Sequence, residues 1–119
     1  MSVAIVWVNM LDGDTAAAAL RVAREIFGQS SVRHFYDPHG RAGEAIAESL
    51  GGLPAEAAWD VYLFYERGTE WGDTPPQPME WMHQCEGDTW ANPYNYHWGD
   101  ELVQELKSTM AKLADACTR

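Results

Sequence analysis

Positively charged side chains are scarce in this chain of 119 residues, which has 8 Lys and Arg against 18 Asp and Glu and a formal net charge of −10. Proteins that bind DNA or RNA neutralise phosphates with clustered Lys and Arg, so the composition argues against a nucleic-acid partner. It also argues against an anionic membrane surface. Between Arg67 and Lys107 there is no Lys or Arg at all. This acidic stretch is interpreted either as a solvated face that keeps the protein soluble or as a surface for a cation or a basic partner.

Long apolar runs, paired cysteines and known catalytic motifs are lacking as well. No apolar run approaches the about 20 residues of a membrane-spanning helix, and the first residues do not have the pattern of a signal peptide. Cys85 and Cys117 are the only cysteines, and they form neither a disulfide framework nor a CxxC pair. The GxGxxG, P-loop, GxSxG, HExxH and EF-hand patterns are absent. We therefore expect a cytoplasmic protein with reduced thiols.

The residues that are present predict one domain over residues 1–119, because the chain is long enough for a single hydrophobic core and too short for two. Apolar periodicity and turn residues predict the secondary structure. The expected elements are a strand at 3–8, a helix at 15–27, a strand at 32–36, a helix at 41–50, a two-stranded hairpin at 59–84 and a helix at 101–116. The order β-α-β-α-β-β-α indicates an α/β fold with one mixed sheet flanked by helices.

Some local features of these elements are also predicted. Asp12 or Asp14 is expected to cap the first helix. Asp37 is interpreted as a turn residue before Pro38. Asp60, at the start of the hairpin, needs a charged partner only if it faces inward. The expected inward stripe of the first helix is Leu20, Ala23, Ile26 and Phe27.

Three segments, VAIVWVNMLDGD, VRHFYDPHGRAGEAIAESLG and WDVYLFYERGTEWGD, suggest a family. Their succession of apolar strand, helix, aromatic-Asp-Pro turn, second helix and final hairpin resembles the C-terminal three-quarters of a thioredoxin-like domain. The resemblance covers 3–84 and bears on the fold more than on activity. It implies a thioredoxin-like domain whose N-terminal redox strand and helix are missing.

The chain departs from that family where its chemistry lies. The CxxC motif would lie upstream of this sequence, and Ala57-Ala58-Trp59 stands where a cis-proline is expected. No catalytic residue of the family can be assigned here, so the resemblance implies a redox-inactive domain. The missing strand is normally central, and its loss leaves backbone groups unpaired. Either the remaining strands pair differently or another chain fills the gap, and we predict a homodimer with a shared sheet or intertwined elements. A truncated thioredoxin-like oxidoreductase is an alternative for the function.

His83, Cys85 and His97 are candidate ligands for zinc or copper, which bind neutral imidazole and thiolate. Two residues apart in an extended segment, His83 and Cys85 would share one face. Cys85 with His83 or His97 could instead be the nucleophile and base of a hydrolase. The alternative is surface histidines beside an inert thiol, because no second close ligand pair or orienting group accompanies them.

Aromatic side chains crowd the hairpin and the segment after it. They could line a pocket for a small apolar or sugar-like ligand, form a subunit interface, or fasten a long loop to the sheet. The six candidates are Trp71, Trp81, Trp90, Tyr94, Tyr96 and Trp98.

Two functional hypotheses follow from these features. The first is a dimeric, redox-inactive thioredoxin-like module for binding or assembly. The second is a small enzyme, metal-assisted or Cys-dependent, that uses the aromatic and acidic surface at residues 81–100.

Overall fold

A computed structural model of the chain describes residues 2–28 and 31–118, without the side chains of Phe27, Cys117 and Thr118. The predicted inward position of the Phe27 side chain therefore lies outside what the structure describes. The elements are β1 (Ala4–Val8), α1 (Ala16–Phe27), β2 (Arg33–Asp37), α2 (Arg41–Ser49), β3 (Val61–Phe64), β4 (Glu80–His83), a 3₁₀ turn (Pro93–Asn95) and α3 (Gly99–Thr118). This order is the predicted one, and the domain is a small mixed α/β fold.

The strands form two separate sheets rather than the one mixed sheet that was predicted. β1 pairs with β2 in parallel, from Ala4 opposite Arg33 to Val8 opposite Asp37. β3 pairs with β4 in antiparallel fashion. Over residues 2–28 and 31–118, no ladder joins the two pairs. The segment that leads into β3 is bonded to α2 instead of β1, since the Ala58 N–H donates to the Gly43 carbonyl over 2.8 Å.

Helix α1 packs on β1 and β2 through a face that was not predicted. Ala18, Ala19 and Val22 lie next to Trp7 and Tyr36 of the sheet. The predicted stripe members Leu20 and Ile26 lie away from this face and are 51% and 69% exposed. The inward position predicted for Leu20 and Ile26 was therefore wrong.

The start of α1 differs from the prediction in a second respect. Thr15 is the N-cap, because its Oγ1 accepts a hydrogen bond from the Ala18 N–H over 3.1 Å. The Asp14 carboxylate instead accepts from the Met10 and Leu11 N–H groups and closes the preceding turn. Asp14 thus shapes the β1–α1 connection, and the hydroxyl after it caps the helix.

Asp37 links the end of β2 to the start of α2. Its buried carboxylate accepts hydrogen bonds from the backbone N–H groups of Arg41, Ala42 and Gly43 at 3.0, 2.8 and 3.3 Å. These are N–H groups that the first turn of a helix leaves without an intrahelical partner. The interpretation of Asp37 as a structural residue of the turn agrees with this geometry. Asp60 is exposed and precedes β3, so no inward partner is required.

The hydrophobic core is small and lies between α2, the β3–β4 hairpin and the segment after β4. Its buried members are Ala47, Ala58, Cys85, Trp90 and Ala91, with Ile46, Leu50, Val61 and Trp81 packed against them. Among the described helices, none has a stretch long and apolar enough to cross a membrane.

Candidate functional site

The imidazole of His83, at the end of β4, is fully buried and has hydrogen bonds at both nitrogens. Nδ1 accepts from the Cys85 N–H over 3.0 Å, and Nε2 lies 2.7 Å from the Asn92 carbonyl oxygen. A nitrogen that accepts from an N–H group carries no proton, so the proton is assigned to Nε2, which donates to Asn92. The ring is thus a neutral connector between two backbone segments, and neither nitrogen has a lone pair left for a metal ion.

Three aromatic rings enclose this imidazole. Trp81 is stacked on it with the ring centres 5.6 Å apart, and Trp90 and Tyr96 meet it edge to face at 5.4 and 5.9 Å. Trp90 is fully buried. We call the four residues His83, Trp81, Trp90 and Tyr96 the His83 cluster. These rings fasten the segment after β4 onto the hairpin, which is one of the roles predicted for the aromatic residues.

The Cys85 thiol is 6% exposed, and its Sγ donates to the Trp59 carbonyl over 3.1 Å. Burial raises the pKa of this thiol to about 11, with a further contribution from the charges of Asp60 and Asp88. A thiol of that pKa is neutral at pH 7, whereas the thiolate is the nucleophile and metal ligand. Because Nδ1 of His83 binds the Cys85 backbone N–H and not its sulfur, the pair does not have the geometry of nucleophile and base.

His97 lies beside His83 through the backbone, but its ring is directed elsewhere. The His97 N–H donates to the His83 carbonyl over 3.0 Å. Its Nδ1 lies 2.8 Å from Oε1 of Glu101 in the first turn of α3. Within residues 2–28 and 31–118, no three His, Cys, Asp or Glu side chains are arranged to hold a metal ion. The structure therefore does not gather His83, Cys85 and His97 as a ligand set.

The six candidate aromatic residues divide into two groups. Trp81, Trp90 and Tyr96 belong to the His83 cluster. The other rings are largely in solvent, with Trp71 54%, Tyr94 94% and Trp98 67% exposed. Trp71 packs edge to face on Tyr65, with the ring centres 5.4 Å apart, and both residues lie in the connection between β3 and β4. The six side chains do not line one common pocket, and the three exposed ones are available for an interface.

Glu56 and Thr89, which the sequence analysis did not single out, join two loops that are 33 residues apart. The Glu56 carboxylate accepts from the Thr89 hydroxyl over 2.5 Å and from the Thr89 and Leu53 N–H groups over 3.2 Å. The bond from the Thr89 hydroxyl is the main cause of a lowered pKa of Glu56. A contact between residues so far apart has no local signature in the sequence.

A cavity of about 130 Å³ lies between α1 and the C-terminal ends of β1 and β2. Trp7, Val8 and Tyr36 of the sheet line it on one side, and Ala18 and Ala19 of the helix on the other. The Tyr36 hydroxyl donates to the Asp14 carbonyl over 2.9 Å at its margin. No candidate residue from the sequence lies here.

The face of the β1–β2 sheet opposite α1 is partly bare. Val6 and Phe35 are direct partners across the two strands, and they are 41% and 51% exposed. Helix α2 reaches only the end of this face, where the Val8 Cγ1 atom would lie 3.5 Å from a Cβ atom at Gly43. We call the surface formed by Val6 and Phe35 the open sheet face.

In comparisons with protein-family models, curated proteins and solved structures, nothing matches the chain. The function of the protein is therefore inferred from the geometry of the described residues.

Proposed function

We propose that the protein is a redox-inactive, thioredoxin-like module for binding or assembly, and that it works as a homodimer in the cytoplasm. The element order β-α-β-α-β-β-α supports the thioredoxin-like part of the proposal. The lack of a CxxC motif and the neutral, buried Cys85 thiol support the absence of dithiol chemistry.

The open sheet face is the observation that carries the dimer. Parallel strands are almost always covered on both faces, because each face is apolar. Here α1 covers the face with Trp7 and Tyr36, while Val6 and Phe35 on the other face remain in solvent. Among residues 2–28 and 31–118, no further strand pairs with the outer edge of β1 or of β2. The face and the edges together form an incomplete layer that another chain can complete.

The accessible surface of the chain is larger than that of a compact monomer of the same mass. The accessible area is 8533 Å². A compact monomer of 13.3 kDa is expected to expose about 6,500 Å², so the excess is about 2,000 Å² per chain. An interface that buried this excess on both chains would cover about 4,000 Å² in total, and obligate homodimers bury about 2,000–5,000 Å². The radius of gyration, 14.7 Å, also exceeds the about 13.5 Å expected for this length.

A second copy is favoured over other occupants by the chemistry of β1. The strand Ala4–Val8 contains no charged side chain. Two such strands can meet edge to edge across a twofold axis without like charges between them, although each chain carries a net charge of −10. The nearest charge on the open sheet face is the Arg33 guanidinium, which lies 6.0 Å from the centre of the Phe35 ring. We therefore place the dimer contact at the open sheet face and the adjoining β1 edge.

The test is the oligomeric state of three variants, measured by sedimentation equilibrium at micromolar concentration. We expect the wild type to be dimeric and Phe35→Glu and Val6→Glu to be monomeric, because each introduces a buried charge at the contact. Ile26→Glu on the outer side of α1 is the matched control and should remain dimeric. Circular dichroism checks that all variants are folded.

A monomeric wild type would refute the proposal. The proposal would also be refuted if Ile26→Glu were monomeric while Val6→Glu and Phe35→Glu remained dimeric, since the contact would then involve α1.

A further inference from the structure

The segment between the 3₁₀ turn and α3 presents two exposed aromatic rings next to two carboxylates. Tyr94 and Trp98 are 94% and 67% exposed. Asp100 and Glu101 follow at once, in the first turn of α3. Four residues of chain span at most about 14 Å, so the two rings lie close enough to contact one short peptide. We call Tyr94, Trp98, Asp100 and Glu101 the aromatic–acidic surface.

The backbone beneath these rings is firmly held. The Tyr94 N–H donates to Oδ1 of Asn92 over 3.0 Å, and the Asn95 side-chain amide donates to the Trp81 carbonyl over 2.9 Å. The bond from the His97 N–H to the His83 carbonyl fixes the next residues to β4. These bonds join the segment to the His83 cluster. The bonds to the Trp81 and His83 carbonyls thus hold this segment against β4.

An exposed aromatic ring on a fixed backbone is the type of residue that dominates binding energy at interfaces. Tyr and Trp are enriched among such residues, and a partner that meets an ordered loop does not have to supply the free energy of ordering it. The local charge then restricts the partner. Because no Lys or Arg lies between Arg67 and Lys107, the segment that carries these rings has several carboxylates and no Lys or Arg of its own, and this favours a cationic partner.

We propose that the aromatic–acidic surface binds an extended, Arg- or Lys-rich segment of a partner protein. The guanidinium or ammonium groups would lie over the faces of Trp98 and Tyr94 as cation–π contacts and pair with Asp100 and with Glu101, whose Oε1 also lies 2.8 Å from Nδ1 of His97. The same charges repel nucleic acid and anionic lipid headgroups. They also disfavour a second copy of this chain, whose net charge has the same sign.

This binding site is separate from the proposed dimer contact, since it shares no residue with the open sheet face. Failure of one proposal can therefore be distinguished from failure of the other by measuring the oligomeric state of every variant used.

The probe is a fluorescein-labelled peptide of alternating arginine and glycine, titrated with the protein of residues 1–119 at low ionic strength and followed by fluorescence anisotropy. We expect saturable binding that weakens at least tenfold in Tyr94→Ala/Trp98→Ala and in Asp100→Asn/Glu101→Gln. Trp71→Ala is the matched aromatic control and Glu48→Gln the matched charge control, and both should bind like the wild type. Circular dichroism checks the fold of each variant.

Three outcomes would overturn the proposal. The first is no saturable binding of the arginine peptide by the wild type. The second is a loss per removed charge that is as large in Glu48→Gln as in Asp100→Asn/Glu101→Gln, which would show attraction by net charge alone. The third is equal binding of a peptide with glutamine in place of arginine, which would show that the occupant need not be cationic.

Discussion

The Cys85 thiol is adjacent to an imidazole and yet cannot exchange a proton with it. The Cys85 backbone N–H donates a hydrogen bond to Nδ1 of His83, and the Cys85 sulfur donates to the Trp59 carbonyl. We therefore predict that Cys85 is inert in the folded protein. In a Cys117→Ser background, a disulfide reagent at pH 8 should label Cys85 at least about a hundredfold more slowly than in urea-unfolded protein, because labelling requires opening of the core. Rapid labelling of the folded protein would contradict this assignment.

Because the pKa of Cys85 is raised, the free energy of unfolding depends on pH, and the sign of this dependence is defined. The unfolded thiol loses its proton near pH 9.0, whereas the folded thiol keeps its proton up to about pH 11. Between these values the unfolded state binds fewer protons, so the free energy of unfolding falls as the pH rises. In the same Cys117→Ser background, urea titrations at several pH values from 8 to 11 should show a steeper fall for Cys85 than for Cys85→Ala. Parallel curves for the two proteins would show that the thiol is not buried as described.

At the scale of elements, the Asp37 carboxylate determines where α2 begins. We predict that Asp37→Ala lowers the free energy of unfolding by about 1–3 kcal/mol, because backbone N–H groups of the first turn lose their acceptor in a partly buried place. Urea denaturation measures this change. Glu48→Ala on the exposed side of the same helix is the control and should change stability by less than about 0.5 kcal/mol. Equal effects of the two substitutions would mean that the carboxylate does not cap the helix.

The elements could be predicted from the sequence, but their arrangement could be predicted only in part. Apolar periodicity and the Asp37-Pro38 turn are local signals, and they gave the order of strands and helices. Whether β3 pairs with β1 depends on contacts between distant residues, such as the bond from Ala58 to Gly43. The Glu56–Thr89 contact also joins residues that are distant in sequence, so local signals do not predict it.

The candidate site could likewise be predicted only in part. His83, Cys85 and the tryptophans were recognised because of their residue type. Their roles were not, because they depend on hydrogen-bond partners that spacing alone cannot define. The neutral form of His83, for example, follows from its bonds to Cys85 and Asn92.

At the scale of the whole molecule, the two proposed contacts differ in the sign of their charge interactions. Dimerisation brings together two chains of charge −10 through an apolar surface, so salt should favour it by screening the repulsion between them. Binding of an arginine peptide brings opposite charges together, so salt should weaken it.

We therefore predict opposite responses when sodium chloride is raised from about 20 to 300 mM, a range over which the Debye length falls severalfold. The dissociation constant of the dimer, measured by sedimentation equilibrium, should decrease, and that of the peptide complex, measured by anisotropy, should increase. Potassium glutamate in place of sodium chloride controls for specific binding of chloride. A dimer that dissociates with increasing salt would place its contact on charged surface rather than at Val6 and Phe35. A peptide complex unaffected by salt would remove Asp100 and Glu101 from its interface and leave only the two rings.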